Sequence, residues 1–371
     1  MVPSVLNGLV KRSKQRRLAV SNDSTICAGI DIGDRYCQIA VLDEDGDVSE
    51  QTRIRTTTKA FERYFKGKAP MRVAMEVGTH SPWISQLLSK MGHDALVGNA
   101  CKLSLIYKND QKSDVVDAEL LARICRFDPQ MLYPIDHKDQ SARAVWTVIR
   151  SRDVLIRTRT MLINHARGTV KPFGHRLPKC SPLRLVKLQS DIPEPLQPAL
   201  VPILNMIAQL NAQIYSYNKE IVRMGKEHYP QAELLQQVYG VGPITALTFM
   251  LTIGDPWRFP RNRTVGAFLG LVPRRSQTGQ SDPQLSITKS GNRYLRRLLV
   301  QCANFILGPF GPDCDLRRWG ERIASRGGKN AKKRARVAVA RRLSVMLLSI
   351  WKTAEVYDPF HGSKDKETSA A

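Results

Sequence analysis

The chain has 371 residues, 42% apolar and 7% aromatic, and its 57 Lys and Arg against 33 Asp and Glu give a formal net charge of +24. These proportions exclude a wholly disordered chain, and no apolar run reaches the roughly 18 residues of a transmembrane helix. The seven cysteines are scattered and form no Cys-x-x-Cys pair, which disfavours a zinc ribbon or a disulfide framework and indicates a reducing cytoplasm.

The N-terminal part of the chain has the pattern of an α/β domain. Residues 1–22 are expected to form a basic flexible arm rather than a secretory signal. Apolar runs then predict strands at 26–32, 36–42, 52–57, 72–76 and 95–97, and helices at 61–65, 83–91 and 115–126. Strands interleaved with helices indicate a layered α/β domain that ends near Pro134.

The next region is predicted to be helical. An Arg-rich helix over 140–170 is followed by several prolines and by a second helix that begins at Pro202. In this second helix, apolar residues recur at alternating spacings of four and three, at Ile203, Ile207, Leu210, Ile214, Tyr217, Ile221 and Met224. This heptad seam predicts coiled-coil packing, either on the preceding helix or on a second subunit. The preceding helix shows no equally clean seam.

The last region is predicted to be mainly helical, with one basic loop. The stretch from Leu235 to Ala246 resembles a helix–hairpin–helix, whose glycines, Gly240 and Gly242, would let backbone N–H groups bind a phosphate. A plain turn between two helices explains the same residues. The residues after 360 are expected to be a disordered tail.

The positive charge is concentrated in the second half of the chain. Residues 31–139 hold 15 basic and 17 acidic side chains, whereas residues 140–371 hold 37 basic and 15 acidic ones. Two stretches are denser still, because 141–176 has eight Arg and Lys with one acid and 317–342 has eleven with one acid. A nucleic acid is the expected partner, since each neutralised phosphate releases a counterion. A merely basic surface has the same composition.

Four carboxylates stand where metal-dependent phosphate chemistry would need them. Asp31 lies at the end of the first predicted strand and Glu76 at the end of the fourth. Asp114 and Asp117 lie three residues apart on one face of a predicted helix start. Mg²⁺ takes such hard oxygen ligands, and two ions about 4 Å apart stabilise both the attacking and the leaving oxygen. Taken singly, each acid also fits a turn, a surface or a helix cap.

A basic loop rich in hydroxyl groups follows Gly270. Between 258 and 297, nine Arg and Lys face a single acid, and Ser276, Thr278 and Ser281 lie among them. A hydroxyl in such a cationic field suggests a nucleophile whose attack on phosphate is eased by neutralising charges. A phosphate-binding loop with incidental hydroxyls explains the same composition.

Together these segments resemble the DEDD transposases of bacterial insertion sequences, also called bridge-RNA-guided recombinases. The likeness spans about residues 26–355. It rests on the four acids, the stretch 112–118 around Asp114 and Asp117, the glycines at 240 and 242, and the loop from Gly270 to Arg296. The order of the acids is similar to that of the RuvC-like branch of the RNase H fold.

The resemblance implies an architecture and a set of partners. It implies an α/β RNase H-like (RuvC-like) domain over 23–137, a helical coiled-coil connector over 138–230, and a mainly α C-terminal transposase domain with a helix–hairpin–helix over 231–360, before a tail at 361–371. It also implies Mg²⁺ in a two-ion site, donor and target DNA, a structured non-coding guide RNA, and a homodimer or dimer of dimers. The expected location is cytoplasmic and nucleoid-associated, with no membrane partner.

The resemblance also assigns roles to residues. Asp31, Glu76, Asp114 and Asp117 would bind the metal, and the family's nucleophile is a serine immediately before a glycine. Here that position holds Thr278, followed by Gly279. Threonine offers comparable chemistry, but its extra methyl restricts the rotamer. Ser276 or Ser281 therefore stays open as the nucleophile, and so does an impaired copy.

The sequence thus predicts a transposase that cuts and rejoins DNA through a covalent hydroxyl–phosphate intermediate, without ATP because no P-loop is present. The residues expected to contact the nucleic-acid backbone are Arg150, Arg152, Arg157, Arg159, Arg274, Arg275, Lys289, Arg293, Lys329, Lys332, Lys333 and Arg334. Two alternatives stay open: a metal-dependent junction-resolving nuclease without a covalent step, and a non-enzymatic RNA-binding protein.

Overall fold

The computed structural model describes residues 26–100, 103, 113–283 and 285–361. The chain divides into two compact units, one up to His137 and one from Lys138 onward. The predicted arm at 1–22 and all but the first residue of the predicted tail at 361–371 lie outside the described residues. No helix in the described part of the chain is both long enough and apolar enough to cross a membrane.

The first unit contains a mixed five-stranded sheet of order β3-β2-β1-β4-β5. The strands are β1 (Cys27–Ile32), β2 (Tyr36–Leu42), β3 (Val48–Arg55), β4 (Arg72–Glu76) and β5 (Asp94–Gly98). β1, β2 and β3 pair antiparallel, whereas β4 runs parallel to β1 and β5 parallel to β4. The sequence predicted all five strands, but β3 begins four residues earlier than expected, because its first residues, apart from Val48, are polar and carry no alternating pattern.

Helices cover both faces of this sheet. On one face, α1 (Thr58–Phe65) and α2 (Ser81–Lys90) bury Phe61, Phe65 and Ile84 against the strands. On the other face lies α3 (Asp114–Phe127), which packs on β1, β2 and β4. A Cβ at Gly29 would lie only 2.0 Å from the Ala118 carbonyl oxygen. The missing side chain therefore lets α3 rest directly on β1.

The second unit is helical apart from one hairpin. Its helices are α4 (Gln140–Thr169), α5 (Pro182–Val186), α6 (Gln197–His228), α7 (Ala232–Leu235), α8 (Pro243–Ile253), α9 (Val265–Phe268), α10 (Arg293–Ile306), α11 (Asp315–Ala324) and α12 (Ala331–Thr353). Every residue of α8 from Thr245 to Ile253 is buried. The stretches 138–230 and 231–360 share this unit, because α4 and α6 both pack on α8.

The helices α4 and α6 form an antiparallel pair within the chain, which answers the open question about the partner of the heptad helix. Arg152 of α4 donates to the side chain of Asn218 of α6. Seven residues further along α4, Arg159 donates at 2.8 Å to Asn211, which lies seven residues before Asn218 in α6. The two helices therefore run in opposite directions. The seam of α4 runs through Val145, Ile149, Arg152, Ile156, Arg159, Ile163 and Ala166. These residues recur at spacings of four and three, but two of them are arginines, so the seam is not visible as an apolar pattern in the sequence.

The observed helix α6 differs from its prediction in two ways. It begins at Gln197 rather than at Pro202, because Pro198 occupies the first turn and Pro202 is tolerated inside the helix. Its buried seam includes Leu200, Leu204 and Ile207, whereas the predicted seam residues Ile203, Tyr217 and Met224 are only half-buried.

Candidate active site and nucleic-acid interface

Two of the predicted acids lie at the ends of neighbouring parallel strands. β1 and β4 pair up to Ile30 and Met75, and Asp31 and Glu76 are the residues that directly follow. Neighbouring strands lie about 4.8 Å apart, so the two backbones are adjacent. Both side chains are half-buried. Strand register therefore places this pair of carboxylates side by side.

The other two acids lie at the same end of the sheet. Ser113 caps α3 by accepting a hydrogen bond from the Val116 N–H at 3.3 Å. The far end of α3 meets the turn after β2, where Arg126 Nε lies 3.0 Å from a Cβ placed on Gly46. The first turn of α3, with the exposed Asp114 and the buried Asp117, therefore lies toward the carboxyl ends of β1 and β4.

Asp31 and Glu76 also lie on the same face of the sheet, the one that α3 covers. Gly29 and Ala74 face α3, as their contacts with Leu121 show. Side chains two residues apart in a strand point to the same face, so Asp31 and Glu76 lie on the α3 side. All four predicted acids are thus brought to one end and one face of the sheet.

The donor chemistry of these acids fits a divalent cation. Carboxylate oxygens are the hard ligands that Mg²⁺ prefers. As the side chains stand, no three His, Cys, Asp or Glu residues among those described lie close enough to form a ligand set. A ligand set therefore needs these side chains to turn toward one another. The segment 104–112, which includes Lys112 of the predicted motif, lies outside the described residues.

The basic loop is a β-hairpin with Thr278 at its tip. Pro273 pairs with Ile287, and Thr278 pairs with Ser281 through backbone hydrogen bonds of 3.1 and 3.0 Å. Gly279 takes a φ of +56°, the left-handed value that a tight hairpin turn needs at this position. The expected loop is therefore an ordered arm that presents an exposed hydroxyl.

The root of the hairpin is fixed by close backbone approaches. Gly270 and Gly291 have φ values of +67° and +71°, and a Cβ on Gly270 would lie 2.3 Å from the Ser290 carbonyl oxygen. Arg296 donates to the carbonyls of Leu269 and Ser290 at 2.9 and 2.6 Å, and burial lowers the pKa of its guanidinium. Lys289, with a φ of +57°, is exposed beside this root.

Cations and hydroxyls surround the tip. Arg275 pairs with Asp282 at 3.4 Å, and Arg274 donates to the Ser286 hydroxyl at 3.1 Å. The hydroxyls of Ser276, Thr278 and Ser281 are exposed, and none makes a side-chain hydrogen bond in the described part of the chain. Position alone therefore leaves all three hydroxyls accessible to a phosphate.

The predicted arginines of α4 fall into two groups. Arg152 and Arg159 are half-buried and hydrogen-bonded to the asparagines of α6, and burial lowers the pKa of Arg159. Arg150 and Arg157 are exposed and lie 3.9 and 3.3 Å from Asp153. The second pair is therefore the more exposed of the two.

The C-terminal basic cluster surrounds the start of α12. Lys329, Lys332, Lys333 and Arg334 are exposed, and the last three lie in the first turn of the helix. Arg334 donates to the Gly327 carbonyl at 2.9 Å. Cations at a helix N-terminus oppose the helix dipole, so this cluster concentrates positive potential where an anion would relieve it.

The predicted helix–hairpin–helix corresponds to α7, a turn and α8. α7 is a single turn of four residues, and Gly240, with a φ of +80°, packs against Phe305 and Cys302 of α10. Gly242 and Pro243 at the start of α8 are exposed.

Sequence reasoning missed a group of side chains that joins α4 to α10. Arg297 donates to the buried Asp153 carboxylate, and Tyr294 lies under Arg297 and Arg150 with ring distances of 4.9 and 5.5 Å. Burial, together with Asp153, raises the pKa of Tyr294. The available signal was Asp153 itself, the single acid in a run of eight Arg and Lys.

Two family models match the chain. A model of the DEDD transposases of the IS110 type matches residues 28–173, and the model of the transposase IS116/IS110/IS902 family matches residues 232–312. The first match contains the sheet and the four acids, and the second contains the hairpin.

Similar proteins come from several bacteria. The chain is 29% identical over 280 residues to the transposase for insertion sequence element IS1328 of Yersinia enterocolitica, covering 74% of this chain and 82% of that protein. It is 25% identical to the transposase for insertion sequence element IS1111A of Coxiella burnetii, covering 96% and 99%. It is 26% identical to a probable family 20 transposase of Pseudomonas aeruginosa, covering 89% and 98%.

The first matched segment runs through α4, and α6 lies between the two segments. Together the segments include the four predicted acids and the hydroxyls of the hairpin. Transposase domains of the DEDD type generally use divalent metal ions. The chain belongs to the IS110 family of insertion-sequence transposases, enzymes that cut and rejoin DNA.

Proposed function

We propose that this transposase transfers DNA strands through a covalent threonine–phosphate intermediate, assisted by a carboxylate–Mg²⁺ site on an RNase H-like domain. The observation that carries the proposal is the convergence of Asp31, Glu76, Asp114 and Asp117 on one end and one face of the sheet. The mixed sheet, three antiparallel strands continued by two parallel ones, supports the RNase H-like interpretation.

The four acids would hold Mg²⁺ ions, which supply charge stabilisation to a transferring phosphate. Asp31 and Glu76 would be fixed by strand pairing, and Asp117 by its burial on α3. Asp114 is exposed and free to turn. The three elements therefore offer both rigid and adjustable ligands.

Thr278 would attack the phosphorus of a DNA phosphodiester with its hydroxyl oxygen. The hydroxyl loses its proton, a threonine–phosphate ester forms, the bond to the leaving sugar oxygen breaks, and that oxygen takes up a proton. A sugar hydroxyl of another strand then attacks the same phosphorus, and the threonine oxygen leaves and regains a proton. The phosphodiester energy is conserved in the ester, so the exchange needs no ATP. Arg274 and Arg275 on the hairpin would neutralise charge on the phosphate.

The basic surfaces would bind both DNA and a structured guide RNA. Base pairing by the RNA would select donor and target sequences, while the protein recognises the backbone. Arg150, Arg157, Lys329, Lys332 and Lys333 are exposed cations suited to this role. The working assembly would be a homodimer or a dimer of dimers.

Trapping the covalent intermediate tests this proposal. Purified protein is incubated with Mg²⁺, labelled DNA and its copurifying RNA, and products are resolved on a denaturing gel. We expect a protein–DNA adduct that is lost in Thr278→Ala and retained in Thr278→Ser, because serine keeps the hydroxyl. Ser276→Ala and Ser281→Ala are matched controls that keep the adduct.

The same gel distinguishes the other candidate functions. Adducts that persist in Thr278→Ala and disappear in Ser276→Ala or Ser281→Ala would move the nucleophile. Free cut ends without any adduct in the wild type would support a nuclease that uses water. Asp114→Asn is expected to abolish all products; if its DNA products equal those of the wild type, the carboxylate–metal site is wrong.

A further inference from the structure

A buried carboxylate lies at the centre of a cationic surface of the second unit. Asp153 is 4% exposed, yet three arginines meet it: Arg150 and Arg157 from α4 and Arg297 from α10. The arginine side chains are 45%, 58% and 45% exposed. One negative charge on the inside therefore holds three positive charges that face solvent.

Arg150 and Arg297 are also held from a second side, by Tyr294. Tyr294 is buried and its ring lies beneath the guanidinium groups of Arg150 and Arg297. A guanidinium has five N–H donors in a fixed plane, and a single carboxylate engages only some of them. The outward donors of all three arginines remain directed to solvent, in an arrangement that their long side chains would not keep unaided.

We propose that Asp153 is a positioning residue that arranges Arg150, Arg157 and Arg297 into a clamp for the phosphodiester backbone of a nucleic acid. Asp153 itself does not touch the nucleic acid. The clamp rests on the proposed function, which requires a bound nucleic acid, and it adds a specific site to it. Because Arg297 belongs to α10, which follows the hairpin directly, a backbone held here is bound next to the element that carries Thr278.

Two effects of Asp153 on phosphate binding have opposite signs. As a charge, it repels phosphate, so its removal should tighten binding if only net charge matters. As a positioning group, it reduces the side-chain entropy that three arginines lose on binding, so its removal should weaken binding. The sign of the change in affinity of Asp153→Asn therefore shows whether Asp153 acts mainly as a charge or mainly as a positioning group.

The experiment measures binding of full-length Asp153→Asn to a DNA duplex and to an RNA duplex of equal length, between about 50 and 200 mM salt. We expect affinity to fall on the order of tenfold, and the salt slope to become shallower by about one or two. Asp153→Glu, which restores a carboxylate, should recover part of the loss. Whether the loss falls on DNA, RNA or both identifies the backbone that the clamp holds.

Asp313→Asn is the matched control. Asp313 lies in the same unit and pairs at the surface with Arg318, which is not one of the three clamp arginines. Its removal adds the same charge, so we expect unchanged or slightly tighter binding. If Asp153→Asn behaves like Asp313→Asn while the wild type binds normally, the clamp is wrong. If the wild type binds neither duplex, the proposed function is wrong instead.

A loss of stability in Asp153→Asn would be seen in its melting temperature. In that case the binding of Arg297→Gln is compared with that of Arg322→Gln. Arg322 is an exposed arginine of α11, so both substitutions remove one positive charge. The clamp requires Arg297→Gln to weaken binding several-fold more than Arg322→Gln. Equal losses from the two substitutions would overturn it.

Discussion

Among single residues, Gly29, which has no side chain, determines the geometry of the four candidate metal-binding acids. Gly29 lies two residues before Asp31 and allows α3 to contact β1 at backbone distance. The same close contact sets the height of Asp114 and Asp117 above the sheet. One glycine thus determines how the helix-borne acids approach the strand-borne acids.

Gly29→Ala tests this relation. The new Cβ would lie 2.0 Å from the Ala118 carbonyl oxygen and 2.5 Å from the Ala122 nitrogen. Because both are backbone atoms, α3 must move. We expect a loss of about 1–3 kcal/mol in the free energy of unfolding and a strong loss of strand transfer, measured by chemical denaturation and by the adduct gel.

Gly78→Ala is the control for that substitution, since nothing lies within 4 Å of a Cβ at Gly78 and its φ is ordinary. It should leave both stability and activity near those of the wild type. Wild-type adduct formation in Gly29→Ala would show that the helix-borne acids do not need this close approach.

Residue chemistry was the part most open to prediction from the sequence. Asp31 and Glu76 lie at the ends of apolar runs, so their strand-end positions could be deduced from those runs alone. Asp153 could not be, because its role depends on Arg297, which is 144 positions away and reaches it only through the packing of α10. Contacts of this kind leave no local pattern.

Among the secondary-structure elements, the antiparallel pair of α4 and α6 combines apolar packing with two hydrogen-bonded Arg–Asn pairs, each of which we call a polar step. Arg152 with Asn218 and Arg159 with Asn211 occupy seam positions one heptad apart. Polar residues in such seams specify register and orientation at a cost in stability. The pair therefore fixes one alignment of two long helices.

Replacing one polar step by apolar residues tests its energetic role. Asn211→Leu alone leaves the half-buried Arg159 guanidinium without its acceptor, so we expect a loss of about 1–3 kcal/mol in the free energy of unfolding. The double variant Arg159→Leu/Asn211→Leu should recover most of this loss or exceed the wild type. Urea denaturation of the four proteins gives the coupling energy, and strict additivity would contradict the polar step.

Periodicity predicted the helices of the second unit only in part. The start of α6 was misplaced, because Pro202 marks a helix start as readily as it is tolerated inside a helix. Three of the seven predicted seam residues, Ile203, Tyr217 and Met224, are only half-buried. The hairpin at 270–289 was expected as a loop, since its pairing depends on turn geometry at Gly279 and not on alternating apolar residues.

At the scale of the whole molecule, charge is divided between the units. Residues 31–139 are close to neutral and residues 140–371 carry a net +22. The second unit also contains most of the exposed cations, including those in the first turn of α12. This division was readable from the sequence, because net charge needs no knowledge of packing.

The double variant Lys332→Ala/Lys333→Ala tests the contribution of that turn. We expect weaker binding to DNA and RNA of any sequence and a salt slope lowered by about one for each phosphate that the protein no longer neutralises. The melting temperature should not fall, because the two lysines oppose the dipole of α12. Lys59→Ala/Lys66→Ala, which removes two exposed lysines from the first unit, should change binding less. Equal effects from the two pairs would show that charge acts without regard to position.

The hairpin that carries Thr278 enters and leaves the helical core at nearly the same point, since Gly270 touches Ser290. A protrusion whose two ends meet can be lengthened, shortened or exchanged without shifting the scaffold on either side. Selection acting on an insertion sequence could therefore remodel this arm, and the hydroxyl it presents, independently of the helices beneath it.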